Sequence, residues 1–528
     1  MNRLRRGLFV LAATGSLVVV AVSGSPAVMG AAPPRYAVAN VGPYGGEPSI
    51  VSDHLGRLYD TTPSGGTITY RSVDHGATWT PTAIADPSSG DDCLATDQEN
   101  SVYLCNLAGS EGAAPLQADV WKSTNLGASW SHGSAFIPQC GSTSCSPFGV
   151  DRDWVAASIP QGGHTNTAEV VLMYHDFYGP SQIWVNISQD GGATFGAPQE
   201  VLASPNVTPG AVTGTLVAQG YTFCNTVPAG VAIVPPGLPH AGRIFVAWIA
   251  ADLAQNATGC NASMLQSFHT VWISYSDDRG AHWTPQQAWD AGFGHDTSTP
   301  FVAFTLDDRG NPYFGLTVNA SSNPVTCSAE STAGTVQSDT SCEYDMYVIW
   351  SQNGGATWDG GGGLIPGSAA QAYRVNSDRG THFFPAIAAG DPGQVDVAYL
   401  RTPEILPTDP FGKADPGGCA GPGTGGNPPT YPPACQWNLF AAQSLNLTSS
   451  PSKASWSATQ ITTTPMHIGD ICNLGIFCVA PSSNRNLLDF IMEAVDPSGC
   501  AHIAYADDNT VNKLRAANQT SGCFKMRF

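Results

Sequence analysis

Two short segments combine residue types that suit acid–base chemistry on a ring-shaped ligand. They are Asp151-Arg-Asp-Trp154 and Tyr174-His-Asp176. A carboxylate beside a histidine can accept and return a proton, and an indole offers a flat face on which a sugar can stack. The competing interpretation is a buried tryptophan next to a salt-bridged arginine. The candidate catalytic residues from these segments are Arg152, Asp153, His175 and Asp176.

Further arginines lie in acid-rich stretches that resemble these two. Of the 16 arginines in the chain, we single out Arg152, Arg379, Arg401 and Arg485, with Glu404 as an additional acid. A guanidinium group binds a carboxylate through two parallel hydrogen bonds, so these residues favour an anionic or sugar ligand. The alternative is that each arginine pairs with a neighbouring aspartate and fixes a loop.

Metal binding has one candidate location. Asp470 and Asp489 lie in the stretches Met466–Asp470 and Asn484–Asp489, and clustered carboxylates suit Ca²⁺. The sequence does not require a cofactor, so Ca²⁺ is a candidate ligand only. Zinc is disfavoured because the paired Cys-x-x-Cys spacing typical of zinc sites is missing.

One octapeptide, Ser-x-Asp/Asn-x-Gly-x-x-Trp/Phe, recurs five times and indicates which elements position these residues. In a hairpin turn of this kind, the Asp or Asn caps backbone N–H groups and the Gly adopts a positive φ. The aromatic residue then packs back between neighbouring sheets. The residues that define the copies are Ser72, Asp74, Gly76 and Trp79; Ser123, Asn125, Gly127 and Trp130; Ser188, Asp190, Gly192 and Phe195; Ser276, Asp278, Gly280 and Trp283; and Ser351, Asn353, Gly355 and Trp358.

Seven pairs of apolar strand patterns begin near residues 46, 92, 152, 229, 299, 384 and 488. Five are followed by the octapeptide, the sixth by an expanded form around Ser444–Trp456, and the seventh by none. This spacing predicts an all-β fold, a β-propeller of four-stranded blades, with seven blades favoured and six as the alternative. The strand Tyr36–Asn40 would complete the last blade and close the ring. Three inserts, 205–227, 319–342 and 405–435, are either decoration or walls of a binding site.

In such a blade the octapeptide turn joins strands three and four. The start of strand one and the turn between strands two and three therefore lie on the opposite face, around the central channel. The starts of the predicted first strands carry a concentrated polar set. It consists of Glu47, Asp91, Asp92, Asp151, Arg152, Asp153, His295, Asp296, Arg379, His382, Asn484 and Arg485.

The N-terminus predicts export. Arg3, Arg5 and Arg6 precede an apolar run and a stretch of small residues, which is typical of a signal peptide over residues 1–31. A retained membrane anchor is the alternative. Residues 36–528 would then form one secreted propeller domain.

The 14 cysteines fall into seven neighbouring pairs, which predict disulfides Cys93–Cys105, Cys140–Cys145, Cys224–Cys260, Cys327–Cys342, Cys419–Cys435, Cys472–Cys478 and Cys500–Cys523.

Charge limits the class of partner. The net charge is −20, which disfavours nucleic acid and anionic membranes because both require a basic surface. No second hydrophobic span follows the signal, so no membrane insertion is expected after its removal. The expected partner is a carbohydrate or another cell-surface ligand, and we expect a monomer.

The octapeptides resemble the Asp boxes (BNR repeats) of the sialidase superfamily over roughly residues 45–510, and other segments resemble secreted bacterial sialidase-like proteins. The resemblance implies a propeller, and it implies an arginine triad drawn from Arg152, Arg379 or Arg401, and Arg485. Tyr174 or Tyr399 would be the nucleophile, with Glu404 as its partner base. The Arg-Ile-Pro motif that begins the sialidase triad is replaced here by Gly46-Glu-Pro-Ser-Ile50.

Three functions stay open on the sequence. The leading hypothesis is a secreted glycoside hydrolase acting on extracellular or cell-wall carbohydrate. The second is a non-catalytic binding or adhesion propeller, and the third is a lyase or another metal-assisted enzyme. Whether the chain is an enzyme at all is therefore left undecided by the sequence.

Overall fold

The computed structural model describes residues 33–63, 67–87, 90–108, 117–133, 150–176, 183–201, 215–216, 221–254, 268–291, 295–297, 299, 301–319, 344–359, 373–404, 436–448, 454–469, 471, 485–509 and 512–526. The predicted signal peptide, most of the three inserts and Asp470 lie outside these residues. So do nine of the cysteines and the side chain of Cys224. Residues Ala32–Phe528 form one compact unit.

Within the described residues, thirty strands are arranged in seven antiparallel sheets. The first strand, β1, is Arg35–Gly42. Blade 1 contains β2 (Ser49–Ser52), β3 (Leu58–Pro63), β4 (Thr67–Ser72) and β5 (Thr80–Pro81). Blade 2 contains β6 (Asp92–Thr96), β7 (Val102–Ala108), β8 (Gln117–Ser123) and β9 (Ser131–His132). Blade 3 contains β10 (Val150–Ser158), β11 (Glu169–Asp176), β12 (Ile183–Ser188) and β13 (Gln199–Glu200).

Blade 4 contains β14 (Thr215–Leu216), β15 (Tyr221–Ile233), β16 (Ile244–Ala254), β17 (Thr270–Ser276) and β18 (Thr284–Asp290). Blade 5 contains β19 (Ala303–Leu306), β20 (Pro312–Asn319), β21 (Tyr344–Trp350) and β22 (Tyr373–Arg374). Blade 6 contains β23 (Thr381–Ala389), β24 (Val395–Thr402), β25 (Gln436–Ser444), β26 (Ser457–Gln460) and β27 (His467–Ile468). Blade 7 contains β28 (Met492–Val495), β29 (Ala501–Asp507) and β30 (Lys513–Ser521), together with β1.

The seven sheets close into a ring. Each innermost strand contacts the innermost strand of the next blade, in the order β2, β6, β10, β15, β19, β23, β28, and β28 contacts β2 again. The N-terminal strand β1 pairs with β30 and forms the outer edge of blade 7, from Arg35 opposite Ser521 to Gly42 opposite Leu514. The predicted propeller, its seven blades and its closure by Tyr36–Asn40 are confirmed, and the six-bladed alternative is wrong.

The predicted four-stranded blades are confirmed, and blades 4 and 6 each carry one additional short strand. Strand β15 has 13 residues, whereas the other innermost strands have four to nine. Its first residues also pair with the two-residue strand β14, Thr215 opposite Thr222. In blade 6, β27 pairs with β25 near its start, Gln436 opposite Ile468.

The five octapeptide turns share one hydrogen-bond pattern. In the first, the Ser72 hydroxyl donates to Asp74 Oδ1 (2.8 Å) and accepts from the Gly76 N–H (2.9 Å). Asp74 Oδ1 also accepts from the Thr78 N–H at 2.9 Å. The other four copies repeat these three contacts within 0.2 Å. All five octapeptide glycines have positive φ.

The aromatic residue of each turn packs into the core, as predicted. Trp283 lies on a buried cluster that combines Ile183 of blade 3 with Trp248 of blade 4. Trp358 packs against Phe314, with ring centroids 5.4 Å apart. The turns therefore join neighbouring blades as well as consecutive strands.

Two of the seven predicted disulfides lie within the described residues, and both are formed. Cys93 and Cys105 stand directly opposite each other on β6 and β7. Cys500 is bonded to Cys523. The remaining five pairs stay predictions.

A buried polar cluster lies where blade 6 meets blade 7. The Tyr36 hydroxyl of β1 donates to Asp396 Oδ2 at 3.0 Å, and the Gln443 amide donates to the same oxygen at 3.3 Å. The carboxyl of Glu493 in β28 lies close to that of Asp396. Burial raises the pKa of Asp396 from its ordinary 3.8 to about 7. Burial and the charge of Asp396 also raise the pKa of Glu493 well above its usual range.

Replacing Gly76 with Ala should destabilise the protein more than replacing Gly162 with Ala. Both glycines have positive φ, so each substitution costs about 1–2 kcal/mol in backbone strain. A methyl group at Gly76 would also overlap Asn518 of blade 7, whose amide donates to Gly76 O, whereas the space around Gly162 is open. We expect a further cost of about 1–3 kcal/mol for Gly76→Ala, measured by denaturant unfolding. Equal costs would contradict this contact.

The free energy of unfolding should fall as the pH rises from about 4 to about 7. In this range the unfolded chain releases the protons of Asp396 and Glu493, whereas the folded protein retains them until the raised folded-state pKa values are passed. Glu493→Gln keeps a hydrogen-bond donor but removes one titration, so it should flatten the decline by more than about 1 kcal/mol. The measurement is denaturant unfolding across pH, with the exposed Glu404→Gln as control. If the free energy of unfolding falls with pH as steeply in Glu493→Gln as in the wild type, this account of the cluster between blades 6 and 7 is wrong.

Candidate functional site

The inner strands all start on one face of the ring, which we call the upper face; the octapeptide turns lie on the opposite, lower face. This arrangement follows from the blade topology, because each octapeptide joins strands three and four. The chain bends sharply at several of these starts. Glu47, Arg152, Phe384 and Leu488 have positive φ, although none of them is glycine. Such backbone conformations are strained and persist only where surrounding contacts enforce them.

Arg152 occupies a β-bulge at the start of β10. Asp151 pairs with His175 and Asp153 pairs with Tyr174, so Arg152 is the extra residue, with a φ of 53°. Its side chain is buried. The guanidinium Nη1 donates to Glu47 Oε2 at 2.7 Å and lies 3.7 Å from Asp91 Oδ2. The bulge thus directs an arginine from blade 3 toward acids that precede blades 1 and 2.

Three aromatic rings from blades 3, 5 and 7 meet around this guanidinium. Trp154 lies edge-on to Phe301 at 5.7 Å and tilted toward Phe490 at 6.5 Å, and Phe301 lies edge-on to Phe490 at 5.8 Å. The guanidinium carbon of Arg152 is 4.7 Å from the Phe490 centroid and 5.2 Å from that of Trp154. Because they come from nonadjacent blades, these rings meet across the central channel. Trp154 and Phe301 are half-buried and Phe490 is buried.

Glu47 and Asp489 form a carboxyl pair beside Arg152. Burial raises the pKa of Glu47 well above its usual range, and the nearby charge of Asp91 raises it further. Burial also raises the pKa of Asp489, whose carboxyl lies next to that of Glu47. A negative charge on Asp489 disfavours ionisation of Glu47. Arg485 Nη2 lies 2.9 Å from Asp489 and 3.7 Å from Glu47, so it completes the cluster.

Further titratable groups lie fully buried below this cluster. Burial raises the pKa of Asp92 to about 8, although Thr61 donates to its carboxylate at 2.6 Å. Burial also raises the pKa of Asp153 well above its ordinary value. It lowers the pKa of His175 to about 3, so this histidine is neutral and a weak base. Burial thus favours the protonated form of Asp153 and makes His175 a poor general base. These are two of the residues predicted to transfer protons.

The other predicted residues gather elsewhere, around Asp378 on blade 6. Arg401 Nε lies 3.0 Å from Asp378 Oδ2, and Arg401 Nη2 donates to the Arg379 carbonyl at 2.6 Å. Arg379 and Glu404 are exposed, and Glu404 accepts from Thr381 only through its backbone carbonyl. The predicted arginine set is thus divided: Arg152 and Arg485 lie beside Glu47, whereas Arg401 pairs with Asp378 and contacts the Arg379 backbone.

The two predicted tyrosine nucleophiles, Tyr174 and Tyr399, are completely buried. Burial also raises the pKa of Tyr399 above its ordinary value, which makes its hydroxyl a poorer nucleophile. The side chain of Asp176 lies outside the described part of the chain.

Sequence reasoning did not identify Phe301 and Phe490 as part of the site. A signal was present, because Phe490 follows Asp489 as Trp154 follows Asp153, at the start of an innermost strand in both cases. Glu47 and Asp91 were in the polar set of strand starts, but not among the predicted catalytic residues. Their importance depends on contacts between blades, which the sequence pattern does not reveal.

No group of three or more His, Cys, Asp or Glu within the described residues is arranged to hold a metal ion. The carboxylate of Asp489 is engaged by Arg485 and Glu47, and Asp470 lies outside those residues. Binding of Ca²⁺ at these two aspartates stays a prediction. In the part of the chain with described structure, no helix has the length and apolar character needed to cross a membrane.

A separate groove of about 300 Å³ lies on the lower face between blades 3 and 4. Its lining includes Glu169, Gln189 and Arg279, and Arg279 lies 3.4 Å from Glu169. Gln189 and Arg279 belong to octapeptide turns. Because the groove lies on the lower face, substitutions at its residues can serve as controls for substitutions on the upper face.

No protein-family model matches the sequence, and a search of curated proteins finds no match. Many solved structures are similar in fold. An ulvan lyase bound to a uronate–rhamnose sulfate ligand has a TM-score of 0.45 at 12% identity, covering 91% of this chain and 95% of the lyase. An α-L-arabinanase of Penicillium chrysogenum in complex with arabinobiose has a TM-score of 0.39 at 12% identity, covering 69% of this chain and 94% of the arabinanase. A sialidase of Trypanosoma rangeli has a TM-score of 0.38 at 12% identity, covering 91% of this chain and 59% of the sialidase. These similarities concern the propeller fold.

Arg152→Met should destabilise the protein by about 3–5 kcal/mol, because it leaves the buried acids around Glu47 without their cation. The matched variant Arg401→Met should cost about 0–1 kcal/mol, since its partner Asp378 is 43% exposed. Denaturant unfolding at neutral pH measures both values. Equal costs would show that the buried pair of Arg152 does not hold the upper face together.

Proposed function

We propose that this chain is a secreted Asp-box propeller of the sialidase superfamily that acts as a glycoside hydrolase at the centre of its upper face. The observation that carries the proposal is the position of two half-buried aromatic rings, Trp154 and Phe301, beside Arg152 and the acids around it. Aromatic faces with a few convergent polar groups are typical of sugar sites.

The aromatic rings would bind the apolar face of a sugar ring. Trp154 and Phe301 lie edge to face at the channel axis, and Arg152 fixes them from below through contact with the Trp154 and Phe490 rings. This packing holds the rings in place before any ligand arrives. A preorganised platform reduces the entropy that binding must overcome.

The carboxyls would divide the acid–base work. Glu47, whose pKa is raised by burial, would donate a proton to the oxygen of the leaving sugar. Asp91 is the more exposed acid, with 26% of its side chain accessible, and would accept a proton from the attacking water. The water oxygen would bond to the anomeric carbon as the glycosidic bond breaks. Before the next turnover, Asp91 would release its proton to solvent and Glu47 would take one up.

Secretion is supported by two features. The N-terminal arginines followed by an apolar run are typical of a signal peptide. The disulfides Cys93–Cys105 and Cys500–Cys523 suit an oxidising compartment.

A non-catalytic carbohydrate-binding propeller is the second candidate. It is favoured by the pairing of Arg152 and Arg485 with acids of the chain itself, which would make the upper face a rigid rim. A rigid rim suits binding without turnover.

A glycan panel assayed for both binding and hydrolysis tests the proposal. Glu47→Gln and Asp91→Asn should each lower kcat by about 10²–10⁴-fold, because each removes one proton-transfer group. Trp154→Ala should weaken binding of the same glycan. Arg279→Ala, on the lower face, should change neither property.

The outcomes separate the two candidates. Wild-type hydrolysis that is lost in both acid variants supports the enzyme. Binding that depends on Trp154 without any hydrolysis supports the binding propeller. Neither binding nor hydrolysis across the panel would refute both.

A further inference from the structure

We infer that the site on the upper face takes uncharged sugars and rejects acidic ones such as uronates, sialates and sulfated sugars. The inference rests on the proposed function and specifies its substrate class. It reverses the expectation, drawn from the arginines in the sequence, of an anionic ligand.

The first step is that the two central arginines are already engaged. Arg152 is 5% exposed, its Nη1 lies 2.7 Å from Glu47, and its flat face is covered by Phe490 and Trp154. Arg485 is held by Asp489 at 2.9 Å. A ligand carboxylate would therefore have to share either guanidinium with a carboxylate of the chain.

The second step is the charge balance. The cluster contains two guanidinium groups and five carboxyls, which are Glu47, Asp91, Asp92, Asp153 and Asp489. The acids outnumber the guanidinium groups by three, and each acid that ionises offsets part of the positive charge. An acidic sugar would bring an uncompensated negative charge into a partly buried site, which is costly.

The third step concerns the approach of the ligand. The chain carries a net charge of −20, which repels anions at a distance. Between residues 134 and 484, the segments without described structure contain six acids, two lysines and no arginine. No arginine from those segments can therefore supply the missing cation. An uncharged sugar meets none of these costs and gains the stacking on Trp154 and Phe301.

The test uses pairs of oligosaccharides that differ in acidic groups. Suitable pairs are sialyllactose with lactose, glucuronoxylan oligosaccharides with xylo-oligosaccharides, and oligogalacturonate with its fully methyl-esterified form. Binding and hydrolysis are measured for each member at low salt and in 0.5 M NaCl, which screens charges beyond a few ångströms. We expect the uncharged member of a recognised pair to bind at least about tenfold more tightly at low salt, a difference of 1.4 kcal/mol.

Added salt and the variant Asp91→Asn test whether electrostatic repulsion causes the preference for uncharged sugars. The preference should narrow in 0.5 M NaCl and in Asp91→Asn, which removes one negative charge, whereas Arg279→Ala should leave it unchanged. A preference that is insensitive to both salt and Asp91→Asn would overturn the electrostatic argument. Tighter binding of an acidic member would overturn the substrate class, while leaving the glycan-active function standing. If no member of any pair is bound or cleaved, the proposed function itself fails, and the inference fails with it.

Discussion

The pairing of β1 with β30 is the constraint on which the ring depends. Every other blade is made from consecutive strands, but blade 7 takes its outer strand from the opposite end of the chain. The Tyr36 hydroxyl of the same strand reaches into blade 6, where it donates to Asp396. One strand therefore joins three parts of the molecule: the C-terminal hairpin, the seam between blades 6 and 7, and through that seam the start of β28. In the closed ring, each described inner strand contacts the inner strands of both neighbouring blades.

Ring closure also explains how the upper face can hold a strained arginine. A residue with the φ of Arg152 costs about 1 kcal/mol relative to an ordinary strand conformation. Contacts from blades 1, 2, 5 and 7 converge on its side chain, and these blades stay in position only because the ring is complete. The carboxyls that surround Arg152 repel one another, so the guanidinium and the retained protons together make their proximity tolerable. The stability of the upper face and its proposed acid–base chemistry thus depend on the same side chains, Arg152 and the carboxyls around it.

The sequence predicted the features that arise from local interactions. Each octapeptide turn is determined by contacts between residues two to four positions apart, such as Ser72 with Asp74 and Gly76. The blade count follows from the seven repeated strand pairs. The site was only partly predictable, because its contacts join residues more than 100 positions apart, such as Arg152 and Glu47. The sequence identified the arginines but not their partners. Arg152 and Arg485 lie beside Glu47, whereas Arg401 pairs with Asp378. The second pairing strand of blade 4 depends on the unusual length of β15, which no turn signal marks.

The position of β1 has a consequence for the order of events during synthesis. The ribosome makes this strand among the first ordered parts of the chain, yet its partner β30 is completed about 480 residues later. Until then β1 has no sheet to join, and the tyrosine that belongs in the seam has no acid to bind. A nascent chain that stops short of β30 therefore cannot complete blade 7. It would present both an unpaired N-terminal strand and an open blade, the kind of exposed edge that chaperones and proteases recognise. Closure by the two ends thus works as a check that only full-length chains pass.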